Sequence, residues 1–343
     1  MTRVAIDLLG GDAGPQVVAD AIASYVHSSY GNHVTFCVVG PHEVAHELLR
    51  ERGVDLTDSA GHRVVHAQAC VPMSATSHDT LALLREGADI TSVVGVRAVR
   101  DGGADAFVSI GHTGAAVGAS VFELGRVPGM GRPGLAVELP GARGPVILVD
   151  CGAAPFATEH DLVRFASAGL AYAASLGIDR PRVGLLSIGS ERGKGDRLRK
   201  SADAHLERTF GSDYAGPVEG HDLVGECAAD VVVVDGFTGN VALKSMEGAL
   251  RWSVAAMSQV YDDDAPARGV LRTSHFLSGG VLLGVRGAVV VGHGASATAE
   301  VVACISRAVQ LHRGAVVDRV HEALAGFAPL DARGEMEVDG ERG

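Results

Sequence analysis

Between Ala229 and Gly248 the chain reads Asp-Val-Val-Val-Val, then Asp-Gly-Phe-Thr-Gly-Asn, then Val-Ala-Leu-Lys-Ser-Met-Glu. An apolar run this short is a buried strand, the Gly-punctuated polar segment is a turn, and the residues that follow carry apolar side chains at spacings of three and four. The pattern predicts a strand at Val231–Val234, a turn over Asp235–Asn240 and a helix from Val241 to Met257. It also recurs. Strand-like runs stand at Val4–Ile6, Val34–Val39, Arg63–Ala67, Ala106–Ile110, Val146–Val149, Arg182–Ile188 and Ala288–Val291, and most lead into glycine-containing turns. Helical spacing covers Gln16–Tyr25, Thr113–Leu124, Asp161–Leu176, Asp196–Thr209 and Ser296–Leu311. Such alternation predicts a mainly parallel sheet with crossover helices, whose ligands gather at the carboxyl ends of the strands.

Composition narrows the class. With 343 residues, 47% of them hydrophobic, the chain can bury a large core, and only 4% are aromatic, so that core must be built from Val, Ala, Leu and Ile. The aromatic scarcity and a net charge of -12 argue against nucleic acid as a partner. The five cysteines are scattered without a close metal-binding pair and read as reduced thiols of a cytoplasmic protein. The chain opens on strand-like Val4-Ala5-Ile6 rather than a signal peptide, and no apolar run is long enough to span a bilayer. No low-complexity linker or internal repeat divides the chain. We therefore expect one α/β unit across residues 1–330, or two tightly joined lobes, with an irregular excursion at about 261–280 and a loose polar tail at 331–343.

Four turns carry the chemistry. They are Asp7-Leu8-Leu9-Gly10-Gly11-Asp12, Ser109-Ile110-Gly111-His112-Thr113-Gly114, Gly189 to Asp196 with Gly193-Lys194-Gly195 inside it, and Asp235 to Asn240. Glycine lets a ligand approach backbone closely, and a helix N-terminus offers unpaired N–H groups, so an anion such as phosphate is the natural guest. Any one of these turns also serves simple chain reversal; their repetition points to a shared ligand site. None fits the Walker loop or the dinucleotide fingerprint.

Taken with Arg132-Pro133, Gly279-Gly280 and Gly292-His293-Gly294, these segments resemble, in order from about residue 3 to about residue 325, the bacterial phosphate acyltransferase family. The resemblance implies a three-layer, Rossmann-like, mainly parallel fold similar to isocitrate and isopropylmalate dehydrogenases. It also implies a homodimer without metal or organic cofactor, and conversion of acyl-[acyl-carrier-protein] and inorganic phosphate into acyl phosphate. It places Lys194 and Asn240 at the catalytic positions, with Gly10, Gly11, Asp12, His112, Thr113, Gly114, Gly193, Gly195, Thr238, Gly239 and His293 around substrate and phosphate.

The residues leave alternatives open at several of these positions. Asn240 reads equally as a helix N-cap. His112, where the family usually has Asn, reads as a phosphate ligand, an acid or base, or a helix cap. Asp7, Asp12, Asp150 and Asp235 follow strands and read as turn-stabilising groups rather than a metal cluster. Cys151 reads as a buried thiol. Arg192, Arg197, Arg199 and Lys200, with Lys194, form the densest basic run and are expected to dock an acidic carrier protein or to make a solvated helix face. The family's amphipathic hairpin before Gly279 is short here and carries Asp262-Asp263-Asp264, which an anionic bilayer would repel, so membrane association is not expected. A transferase that takes acyl-coenzyme A and an idle carrier-binding scaffold are the rival readings.

Overall fold

The computed structural model describes residues 1–56, 61–87, 89–260 and 279–327. The polar tail and the irregular region, apart from Gly279 and Gly280, lie outside the described residues. The chain forms two compact units, Met1–Gly125 with Leu277–Val317, and Arg126–Phe276 with Asp318–Gly343. Both are α/β units built on a mainly parallel sheet.

In the first unit the strands are β1 (Thr2–Asp7), β2 (Val34–Gly40), β3 (Arg63–His66), β4 (Ala106–Ser109), β10 (Gly280–Leu283) and β11 (Ala288–Val291). Their order is β3-β2-β1-β4-β11-β10, and only the β10–β11 pairing is antiparallel. Residues of β1, β2 and β4 such as Val4, Ala5, Val38 and Phe107 are fully buried, as strands covered on both faces must be. Helix α1 (Pro15–Val26) links β1 to β2, whereas α4 (Thr91–Arg100) lies on the return path from β3 to β4. Right-handed crossovers running in opposite directions put these helices on opposite faces, giving three layers. The strand order reverses between β1 and β4, and the Gly10 and Gly111 turns leave the sheet at that reversal.

The second unit holds β5 (Gly134–Gly141), β6 (Gly144–Val149), β7 (Val183–Leu186), β8 (Tyr214–Val218) and β9 (Val231–Val233) in the order β5-β6-β9-β7-β8. Strands β6, β9, β7 and β8 are parallel, and β5 forms an antiparallel hairpin with β6. Helices α6 (Glu159–Ser175) and α7 (Arg197–Phe210) pack together against the sheet.

One expectation is corrected here. The segment after β9 is not a turn followed by a helix. Helix α8 already starts at Gly236 and runs to Val260. Asp235 starts it, accepting the Thr238 N–H at 3.0 Å through Oδ1 while its own carbonyl accepts Gly239 N–H at 2.9 Å. The glycines serve contact rather than chain reversal: a Cβ at Gly236 would sit 2.4 Å from Asp150 Oδ2, and one at Gly239 only 1.9 Å from the Asp150 carbonyl. No described helix is long and apolar enough to cross a membrane.

This contact makes opposite predictions for two glycines of one helix. Gly239→Ala should cost about 3 kcal/mol or more, because backbone must move to admit the methyl. Gly248→Ala, whose Cβ would meet nothing within 4 Å, should add about 0.5–1 kcal/mol. Urea unfolding of both variants checks the pair.

Candidate functional site

In the first unit a buried carboxylate organises the turns. Asp7 Oδ1 accepts the N–H groups of Leu9 and Gly10 at 3.1 and 3.0 Å, and Oδ2 accepts the Ser109 hydroxyl at 2.9 Å. Ser109 Oγ in turn accepts the Gly111 N–H at 3.1 Å. The turns after β1 and β4 therefore share one polar hub, and they touch: a Cβ on Gly10 would lie 2.7 Å from the Gly111 nitrogen. Burial pushes the Asp7 pKa up, and the Ser109, Gly10 and Leu9 bonds offset this only in part. The turn after β11 joins through the Asp12 N–H, which donates to the Gly294 carbonyl at 2.8 Å. Gly10, Gly11 and Asp12 thus lie against the turn that carries His293, a half-buried residue whose Nδ1 accepts the Ala295 N–H at 3.1 Å.

Of the three readings of His112, the geometry supports the cap. Helix α5 (Thr113–Glu123) begins at the next residue, and His112 Nδ1 accepts the Ala115 N–H at 3.2 Å while Nε2 donates to the Ala75 carbonyl at 3.2 Å. Both ring nitrogens are engaged by backbone. Thr113 and Gly114 form the first turn of that helix, where N–H groups face outward.

In the second unit Asp150 takes the corresponding place after β6. Its Oδ1 accepts N–H groups of Leu135, Gly152 and Ala153 at 2.8–2.9 Å, and Oδ2 accepts that of Ala154 at 2.8 Å. Burial raises its pKa against these four bonds. The loop it shapes receives Asn240, whose Nδ2 donates to the Cys151 carbonyl at 3.1 Å. Asn240 is therefore inside α8 and not its N-cap; Asp235 holds that position. The Cys151 thiol is buried, and desolvation together with Asp150 pushes its pKa well up, which makes it inert toward thioesters.

Arg199 requires a second correction. Expected on a carrier-docking face, it is instead buried, its side chain only 11% exposed. It forms an ion pair with Asp235, donates to Thr238 Oγ1 at 3.0 Å through Nη2, and reaches Asp196 Oδ2 at 3.0 Å through Nη1. Position 199 belongs to the stripe of α7 that also buries Ala202 and Leu206, whereas Arg192, Arg197 and Lys200 are exposed. Asp196 caps α7 by accepting the Arg199 N–H at 2.9 Å. The Arg199 side chain so ties Asp196, the cap of α7 two residues after Lys194, to the first turn of α8 at Asp235 and Thr238. Lys194 itself is 49% exposed, with Nζ 3.0 Å from Glu191 Oε1. Burial alone would raise the Asp235 pKa, but the bonds from Thr238 and the charge of Arg199 together hold it below the ordinary carboxylate range.

Beside this knot lies a pocket of about 430 Å³ that sequence reasoning did not foresee, lined by Leu186, Ser187, Ile188, Gly195, Asp196, Arg199, Gly220 and Thr238. Among the described residues no group of three or more His, Cys, Asp or Glu side chains could hold a metal ion. The carboxylates of Asp7, Asp150 and Asp235 are taken up by backbone N–H groups, hydroxyls and Arg199.

The fold and this arrangement define a class. The backbone is similar to EutD phosphotransacetylase from Staphylococcus aureus, with a TM-score of 0.58, 17% identity and coverage of 91% of this chain and 94% of that one. It is also similar to 4-hydroxythreonine-4-phosphate dehydrogenase from Klebsiella pneumoniae, with a TM-score of 0.55, 12% identity and coverage of 91% and 100%. The three-layer α/β architecture of phosphotransacetylases and dehydrogenases of this kind is thus shared. Residues 2–268 match the family described as fatty acid synthesis protein. The chain is 36% identical to the phosphate acyltransferase of Thermobifida fusca, over 95% of this chain and 92% of the relative. It is 36% identical to that of Thermus thermophilus, over 94% and 98%, and 35% identical to that of Rhodobacter capsulatus, over 99% and 87%. The chain belongs to the phosphate acyltransferase family.

The Arg199–Asp235 pair makes a pH-dependent prediction. With its folded pKa below the unfolded value of about 3.9, Asp235 contributes stability that is full above about pH 5 and is lost as pH falls through the folded value. Asp235→Asn should cost about 3 kcal/mol at pH 7 by leaving Arg199 under-compensated. The gap to the parent protein should narrow steadily below about pH 4 in denaturant titrations.

Proposed function

We propose that the protein transfers the acyl group of acyl-[acyl-carrier-protein] to inorganic phosphate, releasing acyl phosphate and the free carrier. The observation that carries this reading is the near-full-length identity of 33–36% to several phosphate acyltransferases. The tie through Arg199 between the α7 cap that follows Lys194 and the first turn of α8 that precedes Asn240 supports the choice of site. A phosphate oxygen attacks the thioester carbonyl, a tetrahedral oxyanion forms, and the C–S bond breaks to expel the carrier's pantetheine thiolate. Free thiols have a pKa of about 8.5, so the leaving group needs no strong acid and electrostatic placement dominates.

In this reading Lys194 supplies an ammonium to phosphate or oxyanion, and Asn240 donates to the thioester oxygen. An amide has two N–H bonds; the one on the Cys151 carbonyl fixes its plane and leaves the other for substrate. In the first unit, Thr113 and Gly114 at the start of α5 offer backbone N–H groups that suit an anion, whereas those of Gly10 and Asp12 are taken by Asp7 and the Gly294 carbonyl. Arg192, Arg197 and Lys200 attract the acidic carrier locally on a chain whose net charge is -12. The protein acts as a cytoplasmic homodimer in lipid synthesis.

Acyl phosphate formation is measured with a panel of acyl-carrier-protein thioesters and with acyl-coenzyme A in parallel. Lys194→Ala and Asn240→Ala should each lower kcat/KM by roughly 10²–10³, the loss of one oxyanion-stabilising donor. Full activity in both variants would sink the site assignment, and a higher kcat/KM with acyl-coenzyme A would reassign the donor.

A further inference from the structure

Helix α2 (His42–Glu51) opens with His42-Glu43-Val44-Ala45-His46. Residues four apart share one face of a helix, and this is the spacing at which a helix presents two imidazoles to a metal ion. The observed geometry agrees with the spacing. The ring centres of His42 and His46 lie 5.8 Å apart, with their planes 17° from parallel. Two imidazoles that bind one ion at about 2.0–2.1 Å hold their ring centres about 5 Å apart, so small side-chain rotations bring a nitrogen of each onto a common point. Both side chains are exposed, and among the described residues no hydrogen bond engages their ring nitrogens. His66, the last residue of β3, stacks on His42 at 5.6 Å but makes no ring contact with His46 among the described residues.

The surroundings favour a cation. Glu43 lies in the first turn of α2, where it offsets the positive end of the helix, and Glu47 follows His46 directly. Beside His46 opens a pocket of about 610 Å³, also lined by Glu47, Arg50, Val54, Asp55 and Leu56, whose two carboxylates outnumber its one guanidinium. This opening leaves room for water in the coordination positions that two side chains do not fill.

We propose that His42 and His46 chelate a divalent transition-metal ion on the surface of the first unit. Two imidazoles completed by water suit Cu²⁺, Ni²⁺ and Zn²⁺, whereas Mg²⁺ demands oxygen ligands. A chelate of two residues is a different object from a group of three or more, of which the described residues hold none. His66 packs on His42 and stays outside the ligand set. The N-cap of α2 is Pro41, which makes no side-chain cap, so an ion shared by His42 and His46 ties together the first two turns of a helix whose start is otherwise unsecured. No residue assigned to acyl transfer lies in α2, and the two proposals stand or fall separately.

The test titrates the chain, without an affinity tag and at about pH 8, with Ni²⁺ and separately with Mg²⁺ by calorimetry, and records the electron paramagnetic resonance spectrum with Cu²⁺. We expect one Ni²⁺ to bind and Mg²⁺ not to, with His42→Ala and His46→Ala each weakening Ni²⁺ binding by roughly tenfold or more. His66→Ala should leave the affinity within about threefold. The Cu²⁺ spectrum should show coupling to two nitrogens in the parent protein and lose one in either of the first two variants. Ni²⁺ should also raise the Tm of the parent protein and of neither variant. All three side chains are exposed, so the substitutions leave the fold intact.

No saturable Ni²⁺ binding to the parent protein overturns the assignment, and so does binding that both His42→Ala and His46→Ala retain in full. A loss in His66→Ala equal to theirs overturns the two-residue ligand set, and an equal rise in Tm in all proteins overturns the tie across α2.

Discussion

The buried guanidinium of Arg199 is the constraint on which the second unit's site depends. A single side chain reaches the cap of its own helix at Asp196 and the start of another at Asp235 and Thr238, 39 residues away along the chain. Removing a charge from water is costly unless partners surround it, and here two carboxylates and a hydroxyl do so. The result is a fixed relation between the cap of α7, two residues after Lys194, and the first turn of α8, the helix that carries Asn240. Asp235 bears a double load, because the carboxylate that holds Arg199 also starts α8.

Both units solve the problem of shaping a loop at a strand end in the same way. Asp7 at the end of β1 and Asp150 after β6 are buried carboxylates that accept backbone N–H groups, and burial raises the pKa of both. Backbone donors that would otherwise be orphaned in a tight glycine turn are satisfied from below, which leaves the outer side of the turn to a ligand. The close glycine contacts follow from this device: Gly10 against Gly111 in one unit, Gly236 and Gly239 against the Asp150 loop in the other.

Much of the sheet was legible because parallel strands buried on both faces produce uninterrupted apolar runs, and every such run, from Val4–Ile6 to Ala288–Val291, lies in or overlaps a strand. Strands that escaped notice have physical reasons to be obscure. Tyr214–Val218 contains Gly216 and Pro217 and forms the sheet's last strand, where a missing N–H is tolerated; Gly134–Gly141 ends in Pro140-Gly141 at a hairpin. The start of α8 was misread because Gly-Phe-Thr-Gly has the composition of a turn. What makes it helical is the contact with the Asp150 loop, far back along the chain, which no local window contains. Arg199 was misread for a related reason, since a run of positive charge suggests a surface. The spacing of Arg199, Ala202 and Leu206 was the available signal, and it marks the inward stripe of α7.

That inward turn changes how an acidic protein can engage an acidic partner and an anionic substrate at once. Of the five basic residues in the run, one is consumed by structure, and Arg192 and Lys194 are each met by a glutamate, Glu207 and Glu191. The exposed pairs are weak and readily exchanged for a better anion, because solvent screens them and their side chains stay mobile. The buried pair is not exchangeable, since releasing Arg199 would strand a charge away from water. Charge is thus sorted by depth: positions near the surface remain exposed and exchangeable, while the deep pair is spent on geometry.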